Sequence, residues 1–369
     1  MKTICIPLVN RTNYTKMKPL MIKLRDSGKV KLDVIVSSSM LLSKYSKAYK
    51  DVENDGFKIK GKFNCLLSAD SHDSMVQTSA LSMVHHSNYF KDNRPDLLFM
   101  VGDRFDMFPI VLTAGMMNIP IAHIQGGELS SSIDNTIRDM ISTMASLHFP
   151  ATELSKRRLE KLGCTNVWNY GCPSVEYINS IDVGHEFDQT YLHKTFKNKI
   201  DIEPGEPYVI SMMHPDTTNP DDLNVDTVLK VLRDLKVKSF IFYPNADTNN
   251  SHILESIHNY STQKGFYLIK HIPIEGYIHL LTHAACMVGN SSSGIREAAT
   301  FGTPVVNIGD RQANREVNKS TISVDCNYDT IKSVVKYCLH SKYDKTNIYY
   351  KRGCTDNICK KVLEYVEGV

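Results

Sequence analysis

Short apolar runs alternate with longer amphipathic stretches along the first half of the chain. ICIPLV, LDVIVS, DLLFMVG, IPIAHI and SLHFPA are apolar enough to be strands buried on both faces. Between several of them lie segments with helical spacing of apolar positions, such as KMKPLMIKLRDSG and DNTIRDMISTMAS. Strands alternating with helices predict βαβ units and a parallel sheet. The pattern restarts after residue 205 with PYVISMM, SFIFYP, FYLIKH, AACMVG and PVVNIG. The simplest account is an α/β fold of two Rossmann-like, doubly wound domains in series.

The intervening SVEYINSIDVGHEFDQTYLHKTFKNKIDIEPGEP is polar, with Gly and Pro near its end. It places the boundary within 175–185, giving an N-terminal domain over 1–178 and a C-terminal domain over 179–353. The closing NICKKVLEYVEGV has helical spacing, and residues 354–369 are expected to pack back on the first domain. A length of 369 residues suits two domains of roughly 100–200 residues each.

Composition narrows the function. With 43 Lys and Arg against 40 Asp and Glu, the net charge of +3 lacks the concentrated basic stripe that nucleic acid requires. A few placed cations still suffice for an anionic metabolite. Nine scattered cysteines without a CxxC pair fit neither a zinc site nor a disulfide framework, and point to a reducing cytoplasm. MKTICIPLVNRTNY turns polar by Asn10 and reads as a first strand rather than a signal segment. No apolar stretch approaches the roughly 20 residues that span a bilayer, so no membrane contact is expected. No metal constellation is visible, and neither a metal nor another cofactor is expected.

Ligands of doubly wound sheets bind at the carboxyl ends of the strands, so the residues following each strand carry the candidate chemistry. After the first strand come Arg11 and Lys16, either an anion site beside a helix N-terminus or two solvated cations. The strand ending at Val101 delivers Gly102, Asp103, Arg104 and Asp106. The next delivers His123, Gln125, Gly126, Gly127 and Glu128, the glycines permitting close backbone approach to a ligand. Asp134 and Arg138, four apart on the following helix, share a face. His214 ends the first strand of the second half and is expected to face an interdomain cleft. Asn245 and Asp247 end another strand, suited to sugar hydroxyls or to an Asx turn. AACMVG runs into Asn290, Ser291, Ser292, Ser293 and Gly294. This is a diphosphate cradle of hydroxyls and backbone N–H groups, or an ordinary Ser-capped helix. It is not a Walker loop, because no Gly-Lys-Ser/Thr follows. Glu297 lies one turn in, within reach of a ribose diol, and Arg311 and Arg315 follow the next strand.

NRTNYTKMKP, GDRFD, AHIQGGE, IDNTIRD, HPDTT, YPNAD, GNSSSGIREAATFGTPVVN and DRQANRE occur in this order, nearly end to end. Together they resemble the hydrolysing UDP-N-acetylglucosamine 2-epimerases of the sialic-acid-pathway type, including the epimerase half of the bifunctional animal epimerase/kinase. The resemblance implies a GT-B-like arrangement with the active site in the interdomain cleft and UDP mainly on the second domain. It implies elimination of UDP across C1–C2 to a glycal, then hydration to free N-acetylmannosamine. It implies a homodimer or homotetramer. Asp103, Gln125, Asp134, Arg138 and His214 then fall at catalytic positions. Arg11, Lys16, Asn245, Ser291, Ser292, Gly294, Glu297 and Arg311 fall at substrate- and UDP-binding ones.

Several positions depart from that pattern. Gln125 stands where the sialic-acid-type enzymes carry Glu, and a glutamine cannot serve as a general base. Asn13 replaces an acid, Asp139 stands where His is expected, and Ile274 replaces an aromatic placed near the uracil. Asp106, Glu128 and Asp139 are the nearby carboxylates that could compensate. Four alternatives therefore stay open beside the UDP-N-acetylglucosamine reaction: a deoxy or diacetamido UDP-sugar, a non-hydrolysing epimerase, a UDP-sugar binder without catalysis, and a GT-B glycosyltransferase.

Overall fold

The computed structural model describes residues 1–43, 47–67, 71–182, 184, 190, 192, 200–203, 205–216, 224–244, 250–270 and 272–368. The chain divides into two compact units. One comprises 1–129, 133–177 and 349–369; the other comprises 130–132 and 178–348.

The first unit is built on β1 (Lys2–Leu8), β2 (Val30–Ser37), β3 (Ile59–Phe63), β4 (Leu97–Val101), β5 (Ile121–Ile124) and β6 (Leu147–Phe149). These pair in parallel in the order β3-β2-β1-β4-β5-β6. The second unit repeats the plan with β7 (Tyr208–Met212), β8 (Lys238–Phe242), β9 (Phe266–Ile269), β10 (Cys286–Gly289), β11 (Val305–Ile308) and β12 (Thr321–Val324). Its order is β12-β11-β10-β7-β8-β9, again parallel throughout. In both sheets the order reverses beside the first strand, between β1 and β4 and between β7 and β10. Such switch points splay the connecting loops apart and leave room for a ligand at the carboxyl ends.

The continuous apolar runs follow from burial on both faces. Ile4, Ile6 and Leu8 of β1 pack into one core layer, and Cys5 and Val9 into the opposite one. The ten strands expected from the apolar runs are joined by β3 and β12. Both are edge strands with no fully buried position, β3 alternating half-buried with exposed residues and β12 half-buried at three of four, so neither has a continuous apolar run.

Helix Arg11–Asp26 starts where Asn10 caps it, its side chain accepting from Asn13 N at 2.9 Å. Its apolar face (Tyr14, Met17, Leu20, Met21, Leu24) shares a core with Ile358, Cys359 and Val362 of the last helix, Cys354–Glu367. That last helix is anchored at its start by Glu176. The Glu176 carboxylate accepts from the backbone N–H groups of Gly353 (2.5 Å), Cys354 (3.0 Å) and Thr355 (2.7 Å). A negative charge on helix-starting N–H groups is favourable both as hydrogen bonding and through the helix dipole.

Candidate active site

Three loops at the carboxyl edge of the first sheet bring polar side chains together. At the centre is Arg138, whose side chain is only 1% exposed. Helix Ile133–Met144 carries it inward, and its Nε donates to Asp103 Oδ2 at 2.7 Å; Nη2 reaches the same oxygen. Its Nη1 donates to the backbone carbonyl of Glu128 at 2.7 Å. Burial works against the guanidinium charge, but Asp103, Glu128 and Asp134 outweigh it and raise the Arg138 pKa. Asp103 and Arg138 thus form a fixed carboxylate–guanidinium pair after β4, with Asp134 near enough to act on Arg138.

Lys16 joins this edge from the helix after β1, donating from Nζ to Gln125 Oε1 at 2.9 Å. Gln125 follows β5 with a left-handed backbone (φ 67°) and donates from Nε2 to Cys172 Sγ at 3.2 Å. Asn13 Nδ2 donates to Val101 O at 3.1 Å, tying the start of the first helix to the end of β4. Arg11 is half-buried, and burial lowers its pKa while Asp51 opposes the shift. Below the loops lies His123, with Nε2 3.2 Å from Gly102 O. It is fully buried and held neutral, its pKa lowered to about 3 by burial and by His148.

The structure corrects two expectations here and explains a third residue. Asp106 is only 2% exposed and already engaged by Ser38 Oγ (2.7 Å) and Arg104 Nε (3.2 Å), which makes it part of the scaffold. Asp139 forms a forked pair with Arg158, one arm at 2.8 Å, instead of joining Asp103. Of the two glycines, one is required by the packing of the chain itself. Gly127 has φ 78°, and a Cβ there would lie 2.3 Å from the Ser155 carbonyl.

In the second unit the loops after β7 and β10 are locked together. His214 N donates to Asn290 Oδ1 at 2.7 Å, and Asn290 Nδ2 donates to His214 O at 2.8 Å. β7 ends at Met212, so His214 lies two residues into the loop instead of at the strand end. Its Nε2 is 3.3 Å from Ser291 Oγ. Arg311 Nη1 (3.2 Å) and Gln312 Nε2 (2.9 Å) both donate to the Asn290 carbonyl, drawing the loop after β11 to the same place. The close approach needs glycine at 289. Its φ is 146°, and a Cβ would stand 2.1 Å from the Met212 carbonyl.

Ser291 caps helix Ser292–Arg296 by accepting from Ser293 N at 3.3 Å. This helix is five residues long and continues as a 3₁₀ turn. Gly294 sits against Val305, where a Cβ would come within 2.9 Å of Cγ1. Tyr277 donates to Ser293 Oγ, which donates to Glu297 Oε2. Burial, followed by the Glu297 charge, holds the Tyr277 phenol well above its ordinary pKa. Asn290 stands in the run that the sequence marked as a cradle, whereas Tyr277 and Gln312 were not singled out, because nothing in their spacing separates them from buried core polar residues. Asn245 and Asp247 lie outside the described residues.

Comparisons with known proteins identify the family and the fold. The family described as UDP-N-acetylglucosamine 2-epimerase matches residues 22–364. The chain is 29% identical over 360 residues to the UDP-N,N'-diacetylbacillosamine 2-epimerase (hydrolyzing) of Legionella pneumophila, covering 96% of this chain and 94% of that one. It is 33% identical over 334 residues to the GDP/UDP-N,N'-diacetylbacillosamine 2-epimerase (hydrolyzing) of Campylobacter jejuni, covering 88% and 85%. In fold it is similar to the UDP-GlcNAc 2-epimerase of Neisseria meningitidis, solved with UDP-GlcNAc. That match has a TM-score of 0.79 and 15% identity, and covers 99% of this chain and 100% of that one. Two Rossmann-like units with polar clusters at their switch points are therefore the framework of a known enzyme type, and the chain belongs to the UDP-N-acetylglucosamine 2-epimerase family.

Proposed function

We propose that the chain is a hydrolysing 2-epimerase of a UDP-2-acetamido sugar. A base removes the C2 proton, the C1–O bond to UDP breaks, and a glycal forms. Water then adds at C1, a proton returns to the opposite face of C2, and the products are UDP and the C2-inverted free sugar. The observation that carries this reading is the buried Arg138 holding Asp103 at the edge of the first sheet. Proton abstraction at an unacidified carbon needs a carboxylate fixed in place, and a preorganised guanidinium supplies that at no cost during the reaction.

Within this reading Asp103 and Asp134 are the proton-transfer carboxylates, and Arg138 orients Asp103. Gln125 transfers no proton. Lys16 and Arg11 offset the charge of the departing diphosphate. In the second unit Ser291, Ser292 and Gly294 receive the diphosphate, with Arg311 beside them. Glu297 takes the ribose diol and His214 serves beside Ser291 at the diphosphate. An elimination that expels a diphosphate needs cations where negative charge accumulates, and both units supply them.

UDP-N-acetylglucosamine is the first substrate in this account. A diacetamido UDP-sugar is the second, favoured by the names of the Legionella and Campylobacter relatives described above. A panel of UDP-2-acetamido sugars assayed for UDP release separates them. Release from UDP-N-acetylglucosamine at a kcat/KM matching or exceeding the diacetamido sugar supports the first reading. Release from the diacetamido sugar alone supports the second, and release from neither overturns both.

A further inference from the structure

We infer that Gln125 is a positioning residue that holds the Lys16 ammonium in place without adding a counter-charge, and that Cys172 fixes the orientation of its amide. The inference rests on the UDP-sugar reading above for its kinetic consequence and on geometry for its mechanism.

Gln125 is 4% exposed and has a left-handed backbone, a conformation that a non-glycine residue keeps only where its surroundings impose it. Its own N–H donates to Phe149 O at 3.0 Å, so the residue is tied to the strand edge. The side chain then has one consistent arrangement. An ammonium can only donate, so the amide oxygen must face Lys16, 2.9 Å away. The amide NH2 therefore faces Cys172 Sγ at 3.2 Å, where a lone pair on sulfur accepts it. Cys172 has 0% exposure and lies 3.3 Å from Ser174 Oγ, to which its S–H can donate. Its backbone is fixed by its N–H donating to Tyr349 O at 2.8 Å. Hydrogen bonds thus link Lys16 to Gln125 and Gln125 to Cys172, with Ser174 beside the sulfur.

A carboxylate at 125 would break this order. It would pair with Lys16 as an ion and lose the donor that meets the sulfur. With an amide, the Lys16 ammonium is held in place and residue 125 adds no counter-charge of its own. The glutamine then has a positive role, distinct from that of a base position left vacant.

The test compares Cys172→Val, close in shape but with no acceptor, with Cys172→Ser, which keeps one, and with Gln125→Glu. Steady-state kinetics are measured on the UDP-2-acetamido sugar that the wild type turns over. The Lys16 titration is followed by NMR of its ¹³Cε in the unliganded enzyme. Cys172→Val is expected to raise KM about tenfold, the scale of one lost charge-assisted contact, with kcat nearly unchanged. Cys172→Ser restores KM to near the wild-type value. Gln125→Glu raises the Lys16 pKa and raises KM without raising kcat. Equal KM in the Val and Ser variants overturns the inference, as does a Lys16 titration indifferent to Gln125→Glu. So does a gain in kcat at constant KM in Gln125→Glu, which would mark position 125 as a vacated base. Because the titration needs no substrate, it judges the contact even if the wild type turns over no UDP-sugar, an outcome that sinks only the functional reading.

Discussion

Replacing Asp103 by Asn removes one charge from a pair whose other member is almost entirely buried. The Arg138 side chain is 1% exposed and Asp103 is 24% exposed. At a separation near 4 Å and an effective dielectric of about 20, the lost attraction is about 4 kcal/mol. The amide still accepts one hydrogen bond, which returns about 1 kcal/mol. The net destabilisation is therefore about 3 kcal/mol, because the guanidinium stays buried with less compensation. Arg138→Met destabilises for a different reason, losing both Asp103 and the Glu128 carbonyl. In the double variant the buried guanidinium and the Asp103 charge are gone together, so the two effects do not add, and a coupling of about 2 kcal/mol is expected. The protein offers a local probe: Trp168, its single tryptophan, is stacked on Phe149 at 5.9 Å within the first unit. Urea unfolding followed by Trp168 fluorescence for the wild type, the two single variants and the double variant gives the cycle. In parallel, Asp103→Asn should lower turnover by about a hundredfold or more. Coupling under about 0.5 kcal/mol would refute the claim that Arg138 and Asp103 act as one unit.

Other outcomes follow from the same geometry. Asp139→Asn breaks only a partly exposed pair with Arg158, so stability should fall by about 1 kcal/mol or less, and UDP-sugar turnover should be unaffected; a large loss of turnover would return Asp139 to the chemistry. Tyr277→Phe removes the hydroxyl that orients Ser293 and Glu297, and should raise KM about fivefold with little change in kcat, as read by UDP-release kinetics. Acid should destabilise the first unit through His86 and His148, whose pKa values are lowered to about 4, and His123, lowered to about 3. Each folded value lies below the unfolded one, so this stabilisation is complete above the ordinary histidine pKa of about 6.5. It declines as pH falls toward 4 and 3, because the unfolded chain binds protons that the folded one refuses. Trp168-detected urea midpoints that stay flat from pH 7 to 5 would contradict this.

Most of the architecture was legible because strands buried on both faces announce themselves as unbroken apolar runs. The runs located ten strands and their carboxyl ends, and with them the loops that carry Asp103, Gln125, His214 and Ser291. The edge strands β3 and β12 escaped because exposure on one side erases that signal. Within the loops, sequence supplied the inventory of polar groups but not their pairing. Nothing in the spacing says that Arg138 turns toward Asp103 while Asp139, the next residue, turns toward Arg158. Those choices are made by helix phase and by the space behind each strand. Gln125 was noticed as a departure from the sialic-acid-type pattern. Its partners Lys16 and Cys172 are 109 and 47 residues away in sequence, and only the fold joins them.

The central claim is inversion at C2 with loss of UDP, and proton NMR of UDP-2-acetamido sugars incubated with the enzyme in deuterated water reads it most directly. The account predicts that at least one sugar of the panel yields free UDP and a C2-inverted reducing sugar carrying deuterium at C2. Tight binding of the UDP-sugars without deuterium entering C2 would contradict it.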